Sequence, residues 1–156
     1  MYGLPEYQKE VISASRNVAN PGCFATAIQL ALLPLADRGL LQDTVHVNAL
    51  TGSTGAGAGL ADTSHFSWRN NNVSWYKPFT HQHLGEVLQS LGGLQGAPPE
   101  LLFLPLRGNF TRGIFATAYT SFEGSLQEAQ DLYASYYKDA PFTSLADTPP
   151  HLKQVV

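Results

Sequence analysis

The sequence predicts an α/β fold, one domain of helices packed on a sheet, and three observations carry that reading. Cys23–Leu33 is an apolar, charge-free run long enough for a buried helix. Thr44–Leu50 alternates around β-branched residues as a half-buried strand does, and Leu101–Leu104 is an apolar run of strand length. Ser125-Leu126-Gln127-Glu128 forms a capping box ahead of an amphipathic helix whose apolar face is Leu126, Ala129, Leu132, Tyr133, Tyr136 and Tyr137. A chain of 156 residues that is 44% hydrophobic can bury one real core and is short for two.

Composition narrows the function. The net charge is -3, no Lys/Arg run offers an electrostatic footprint for nucleic acid, and no stretch approaches the roughly 20 apolar residues of a membrane span. One cysteine cannot form an internal disulfide and no signal-peptide pattern opens the chain, so the expected compartment is the reducing cytoplasm. Residues 2–19 read as a polar connecting arm with a short helix around Tyr7–Ser13.

The lone Cys23 opens the first apolar helix, with Asn20 as the expected N-cap, Pro21 in the first turn and Pro34 as the terminator. A helix N-terminus presents unpaired N–H groups and a positive dipole end, which favour a thiolate, and Gly22 lets a substrate approach the backbone. Asp37-Arg38-Gly39 closes the element before the strand that holds His46, a residue with no acidic or metal-ligand neighbour in sequence and therefore assigned a structural role.

That strand enters Thr51-Gly52-Ser53-Thr54-Gly55-Ala56-Gly57-Ala58-Gly59, whose glycines and hydroxyls can offer backbone N–H groups to a phosphate or carboxylate. The loop has neither dinucleotide-fingerprint nor P-loop spacing. The aromatic-dotted segment 62–76 has no periodicity and reads as a lid, a binding loop or a subunit contact.

Thr80-His81-Gln82-His83-Leu84-Gly85-Glu86 leads a helix with Leu84, Val87, Leu88 and Leu91 on its apolar face, Thr80 as its cap and Gly92-Gly93 at its end. An imidazole at a helix N-terminus is disfavoured as a cation and can serve as a base, and Glu86 is placed to orient one of the rings. With no third ligand at a diagnostic spacing, no metal is expected. Cysteine and histidine distant in sequence but convergent in space give the arrangement of covalent catalysis. Arg107 and Arg112 fall within one loop, Arg107–Gly113, of a sparsely charged chain, and a guanidinium is a planar fork suited to a carboxylate or phosphate. Residues 113–122 read as a third strand.

The order of these motifs resembles a known family. The opening Tyr2-Gly3-Leu4-Pro5-Glu6, then Val18 to Thr26 around Cys23, Gly52 to Gly57, His81 to Glu86, and Thr111-Arg112-Gly113-Ile114 follow one another as in N-acetyl-γ-glutamyl-phosphate reductase of arginine biosynthesis. The resemblance implies a mixed sheet with helices packed on it, of the semialdehyde/glyceraldehyde-3-phosphate dehydrogenase-like C-terminal type. Residues 1–156 would then be a single catalytic and dimerisation domain, a piece of a longer chain whose NADP-binding Rossmann domain lies elsewhere, so that this polypeptide alone is expected not to complete the reduction. Leu106 stands where the family carries a histidine after the proline of the Phe-x-Pro strand.

Carried over, the resemblance makes Cys23 the nucleophile that forms a thioester from an N-acyl-glutamyl phosphate, with His81 or His83 as acid–base and Glu86 as orienter. Asn20, Gly22, Ser53, Gly55 and Arg112 would bind substrate, Arg112 through its carboxylate, and NADP(H) would supply the hydride. Arg107 is the candidate for the extra carboxylate if the acyl group is succinyl instead of acetyl. The competing functions are another acyl-phosphate or semialdehyde dehydrogenase, a cofactor-free cysteine hydrolase, and a non-catalytic dimerisation module. The apolar surface offered by residues 65–76 and 113–122 predicts a homodimer or higher oligomer.

Overall fold

The computed structural model describes residues 1–156, the side chain of Val155 excepted. Four strands form one mixed sheet in the order β2 (Ser74–Trp75), β3 (Leu101–Arg107), β1 (Val45–Thr51), β4 (Ile114–Tyr119). β1 (Val45–Thr51) and β3 (Leu101–Arg107) pair in parallel, Val47 opposite Phe103. β4 (Ile114–Tyr119) runs antiparallel along the other side of β1, and β2 (Ser74–Trp75) runs antiparallel along β3. The parallel pair requires a crossover, and α4 (His83–Gln95) supplies it.

The strand alternation seen in sequence becomes two faces. Val45, Val47, Ala49, Leu101 and Phe103 point into the core against α2 (Cys23–Asp37) and α4, through Phe24, Ile28, Leu32, Leu33, Val87 and Leu91. Each such fully buried aliphatic or aromatic side chain contributes about 1.5–3 kcal/mol relative to exposure. His46, Asn48, Leu50, Leu102, Leu104, Leu106 and Phe115 alternate onto the opposite face, which stays partly exposed and uncovered by the described helices. His46 stacks there on Tyr119, ring centroids 5.0 Å apart.

Three boundaries differ from the expectation. Pro34 does not end α2, which continues to Asp37. A proline leaves the carbonyl four residues earlier without its helical donor; here the Tyr137 hydroxyl donates to the Leu30 oxygen at 2.6 Å and Tyr133 donates to that of Ala31. Those tyrosines sit on α5 (Leu126–Tyr137), whose capping box at Ser125 and Glu128 forms as expected, although Leu126 itself lies exposed. The crossover helix runs through Gly92-Gly93 to Gln95 and stops at Gly96, whose φ of 84° is the left-handed cap glycine favours. The two inner glycines admit neighbours: a Cβ at Gly92 would stand 3.2 Å from Pro98 and one at Gly93 3.1 Å from the Tyr7 hydroxyl. Finally, residues 62–76 contain short ordered elements, among them α3 (Phe66–Arg69) and β2.

The opening arm contains α1 (Pro5–Ser13), and the chain ends in α6 (Leu152–Val155). Tyr2 bridges to Ala19 in parallel, so the arm lies against the strand-like approach to Cys23. No helix of the described residues is long and apolar enough to cross a membrane.

Candidate functional site

Cys23 is the first residue of α2 and is exposed. The residue before it, Gly22, is the N-cap in extended geometry, so Asn20 and Pro21 lie ahead of the helix instead of capping it. No side chain caps this end. The Gly22 N–H donates to the Glu86 Oε2 at 2.8 Å, across 64 residues of sequence. α2 is 15 residues long, and its first-turn amides are by construction without helical acceptors, which leaves N–H groups beside the sulfur for a developing oxyanion.

The His83 imidazole lies directly on Gly22. A Cβ built on that glycine would stand 2.2 Å from the His83 Nε2, so the ring occupies the space a side chain would take, one residue from the cysteine. His83 is half-buried and burial pushes its pKa down, against the opposing pull of Glu86. The ring is therefore neutral at neutral pH and able to accept a proton. Its neutrality comes mainly from burial, not from the helix end alone.

His81 is placed differently. Its ring is enclosed by Phe24, Phe103, Tyr76 and His83 at centroid distances of 5.4, 5.6, 5.6 and 4.6 Å, and the residue is 4% exposed. The Nδ1 accepts the backbone N–H of His83 at 3.2 Å, fixing the start of α4 in place of the cap expected from Thr80. Burial, helped by the neighbouring His83, pushes its pKa down to about 4. His81 packs against the His83 ring and, through its Nδ1, holds the His83 N–H.

Glu86 does not hydrogen-bond a ring as expected. Its Oε1 is 3.9 Å from the His83 Nε2, beyond hydrogen-bond reach, while its other oxygen holds Gly22. It meets the opening arm as well. Tyr2 accepts from the Nε2 of buried Gln29 at 2.9 Å, and its phenol is pushed up to about 12, by burial above all, with the Glu86 carboxylate adding to the effect and the Gln29 donor opposing it. The approach to Cys23 is thus held both by the arm and by the crossover helix.

These groups border a cleft of about 300 Å³. Cys23, Gly55, His81, His83 and Arg107 line it, and so do Arg69, Tyr76 and Lys77, which the sequence reading did not single out. A larger groove between α1 and residues 139–142 contains no cysteine or histidine. Arg69 is buried and donates to the carbonyls of Thr51 at 2.8 Å, Gly108 at 3.1 Å and Thr63 at 3.5 Å, tying residues 63–69 to the ends of β1 and β3. The Arg107 guanidinium lies 4.0 Å from the Tyr76 ring centroid, a cation–π stack. The signal for the two missed cations was their isolation: Arg69 is the only arginine between Arg38 and Arg107, and Lys77 the only lysine between Lys9 and Lys138.

The glycine loop does not present an anion nest. The N–H groups of Gly52, Ser53 and Thr54 donate to the carbonyls of Gly113, Phe110 and Thr111 at 2.9, 3.0 and 2.9 Å, and those of Gly55 and Gly57 bond within the loop. Gly52 is required for this docking, since a Cβ there would meet the Thr111 oxygen at 2.6 Å. The Ser53 hydroxyl also faces Thr111. Arg112 is exposed and outside the cleft, as is Asn20, whose side chain reaches only the Pro21 carbonyl.

A family model described as "Semialdehyde dehydrogenase, dimerisation domain" matches residues 23–156. Among curated proteins, the chain is similar to the N-acetyl-gamma-glutamyl-phosphate reductase of Christiangramia forsetii, with 59% identity over 100% of this chain and 49% of the relative. The proteins of the same name from Flavobacterium johnsoniae and Azobacteroides pseudotrichonymphae are 58% and 55% identical over 100% of this chain and 48% of each relative. The chain spans about half the length of the curated relatives it matches.

Proposed function

Because this chain belongs to the semialdehyde dehydrogenase dimerisation-domain family, we propose that it is a single catalytic and dimerisation domain bearing the acyl-transfer site of an N-acetyl-γ-glutamyl-phosphate reductase, the activity for which its relatives are named. The observation that carries the reading is the His83 ring seated on Gly22, the residue before Cys23 at the head of α2, with Cys23 and His83 lining one cleft. The Cys23 sulfur attacks the acyl carbon of the acyl phosphate while His83 takes the thiol proton. The first-turn amides of α2 stabilise the oxyanion, the C–O bond to phosphate breaks, and inorganic phosphate leaves with its electron pair and a proton, giving the thioester.

Arg107 is the carboxylate ligand in this cleft, because its planar fork is held by Tyr76 and makes no ion pair with protein among the described residues. Arg112, the residue expected to take that task, is not at the cleft. The relatives' activity requires a hydride donor, expected to be NADPH. The residues here do not fit a dinucleotide, since the glycine loop has the wrong spacing and its amides are committed to residues 110–113. The reductive step is therefore assigned to the longer protein. The uncovered face of the sheet, with Leu50, Leu102, Leu104, Leu106 and Phe115, is the surface proposed for homo-oligomer contact, in keeping with a dimerisation-domain family.

Mixing the chain with N-acetyl-γ-glutamyl phosphate is expected to release inorganic phosphate in an amount stoichiometric with protein, and Cys23→Ser to release none. Continuous release without any cofactor would identify a hydrolase instead.

A further inference from the structure

Resting on that reading, we propose that Lys77 is the ligand for the phosphoryl group of the substrate, and that the chain holds it in a strained backbone conformation for that purpose. Lys77 has φ 44° and Phe79 φ 58°, so two non-glycine residues within three adopt the left-handed region that side chains disfavour. Strain of this kind persists only where the surroundings over-determine it, and both ends of the turn are bolted to β3. The Tyr76 N–H donates to the Pro105 carbonyl at 3.1 Å, the Phe79 N–H to that of Phe103 at 2.9 Å, and the Thr80 N–H closes the turn onto Lys77 at 3.2 Å.

The strained turn brings an ammonium to the cleft. Lys77 lines the same cleft as Cys23, and its Nζ donates to the Gln82 Oε1 at 3.1 Å. Gln82 lies in sequence between His81 and the His83 that rests on Gly22, so the hydrogen bond ties the ammonium to the start of α4, on the exposed border of the cleft that Cys23 also lines. Among the described residues, no acidic side chain lines this cleft. The three cations there divide by chemistry. Arg69 is committed to three carbonyls, and Arg107 is a planar fork on an aromatic ring, suited to a carboxylate. Lys77 is a compact point charge with hydrogen-bonding capacity left after Gln82, as a tetrahedral phosphate dianion accepts it.

The test is protection of Cys23 from iodoacetamide by inorganic phosphate at constant ionic strength, with melting temperatures measured in parallel. Wild type is expected to show saturable protection. Lys77→Gly, which removes the charge and relaxes the φ, should need at least tenfold more phosphate for half-protection while its melting temperature stays unchanged or rises; Lys77→Arg should retain protection. Equal protection of wild type and Lys77→Gly, or none in wild type, overturns the proposal. So does loss of protection that merely tracks a lower melting temperature. Acylation of Cys23 by acetyl phosphate, which has no carboxylate for Arg107, separates this from the parent reading. An unacylated wild type rejects the acyl-transfer assignment, whereas equal acylation rates in wild type and Lys77→Gly reject only the role of Lys77.

Discussion

Gly22→Ala separates the placement of His83 from the stability of the domain. The new Cβ would stand 2.2, 2.5 and 2.6 Å from three atoms of the His83 ring, where about 3.4 Å is needed, so the ring must retreat by roughly 1 Å. It has little room, with His81 at 4.6 Å and Phe24 at 6.2 Å between ring centroids. Overpacking of this kind costs about 1–3 kcal/mol. Gly22 has φ -62°, which alanine adopts freely, so the loss of unfolded-state freedom offsets about 0.4–1 kcal/mol of that. The net destabilisation of ~0.5–2 kcal/mol should lower the melting temperature by roughly 1–8 °C. A displacement of about 1 Å in a catalytic group can cost ~10²-fold in rate, or about 2.7 kcal/mol of barrier. Stopped-flow phosphate release on mixing with acyl phosphate, alongside a thermal melt, reads both quantities. Release at the wild-type rate from a folded Gly22→Ala variant would refute the claim that His83 acts from this position.

Three further outcomes follow from other parts of the structure. His81 has a folded pKa near 4, below its unfolded value of about 6.5, so the unfolded state binds more protons between them. Stability is full above about pH 6.5 and should fall on acidification towards pH 4, by up to ~1.4 kcal/mol per pH unit; urea midpoints at pH 7 and 5 should show this, with a shallower dependence in His81→Asn, which keeps an acceptor for the His83 N–H. Tyr137→Phe leaves the Leu30 carbonyl beside Pro34 without its donor and should cost about 1–3 kcal/mol in a denaturant titration, whereas an unchanged midpoint would show that Pro34 needs no such partner. Leu104→Glu, on the uncovered sheet face, should shift sedimentation from oligomer to monomer with the fold retained by circular dichroism; an undisturbed oligomer would place the contact elsewhere.

The strands and the long helices were legible because their side chains repeat with the period of the backbone: Val45–Thr51 alternates buried and half-buried residues, and Ser125 and Glu128 announce α5 before it begins. Cys23, His81 and His83 stood out as candidates because they are reactive side chains at or beside a helix start. Their mutual placement could not, since it depends on Gly22 and Glu86 meeting across 64 residues. Proposing His83 before His81 as the proton acceptor also required the fold, because only the packing of Phe24, Phe103 and Tyr76 shows which ring is enclosed. The glycine loop misled for a related reason. Its amides looked free because their acceptors, residues 110–113, lie far along the chain. Elements as short as α3 and β2 have too few residues to display a period, and Arg69 stabilises their segment through carbonyls that no sequence pattern marks.

Acylation of Cys23, assisted by His83, is read by peptide mass analysis after mixing the chain with N-acetyl-γ-glutamyl phosphate, with Cys23→Ser and His83→Ala run beside wild type. Wild type is expected to show a thioester-labile mass increase confined to the peptide containing Cys23, absent in Cys23→Ser and formed about 10²-fold or more slowly in His83→Ala. An acyl group found on another residue, or His83→Ala acylated as fast as wild type, would contradict it.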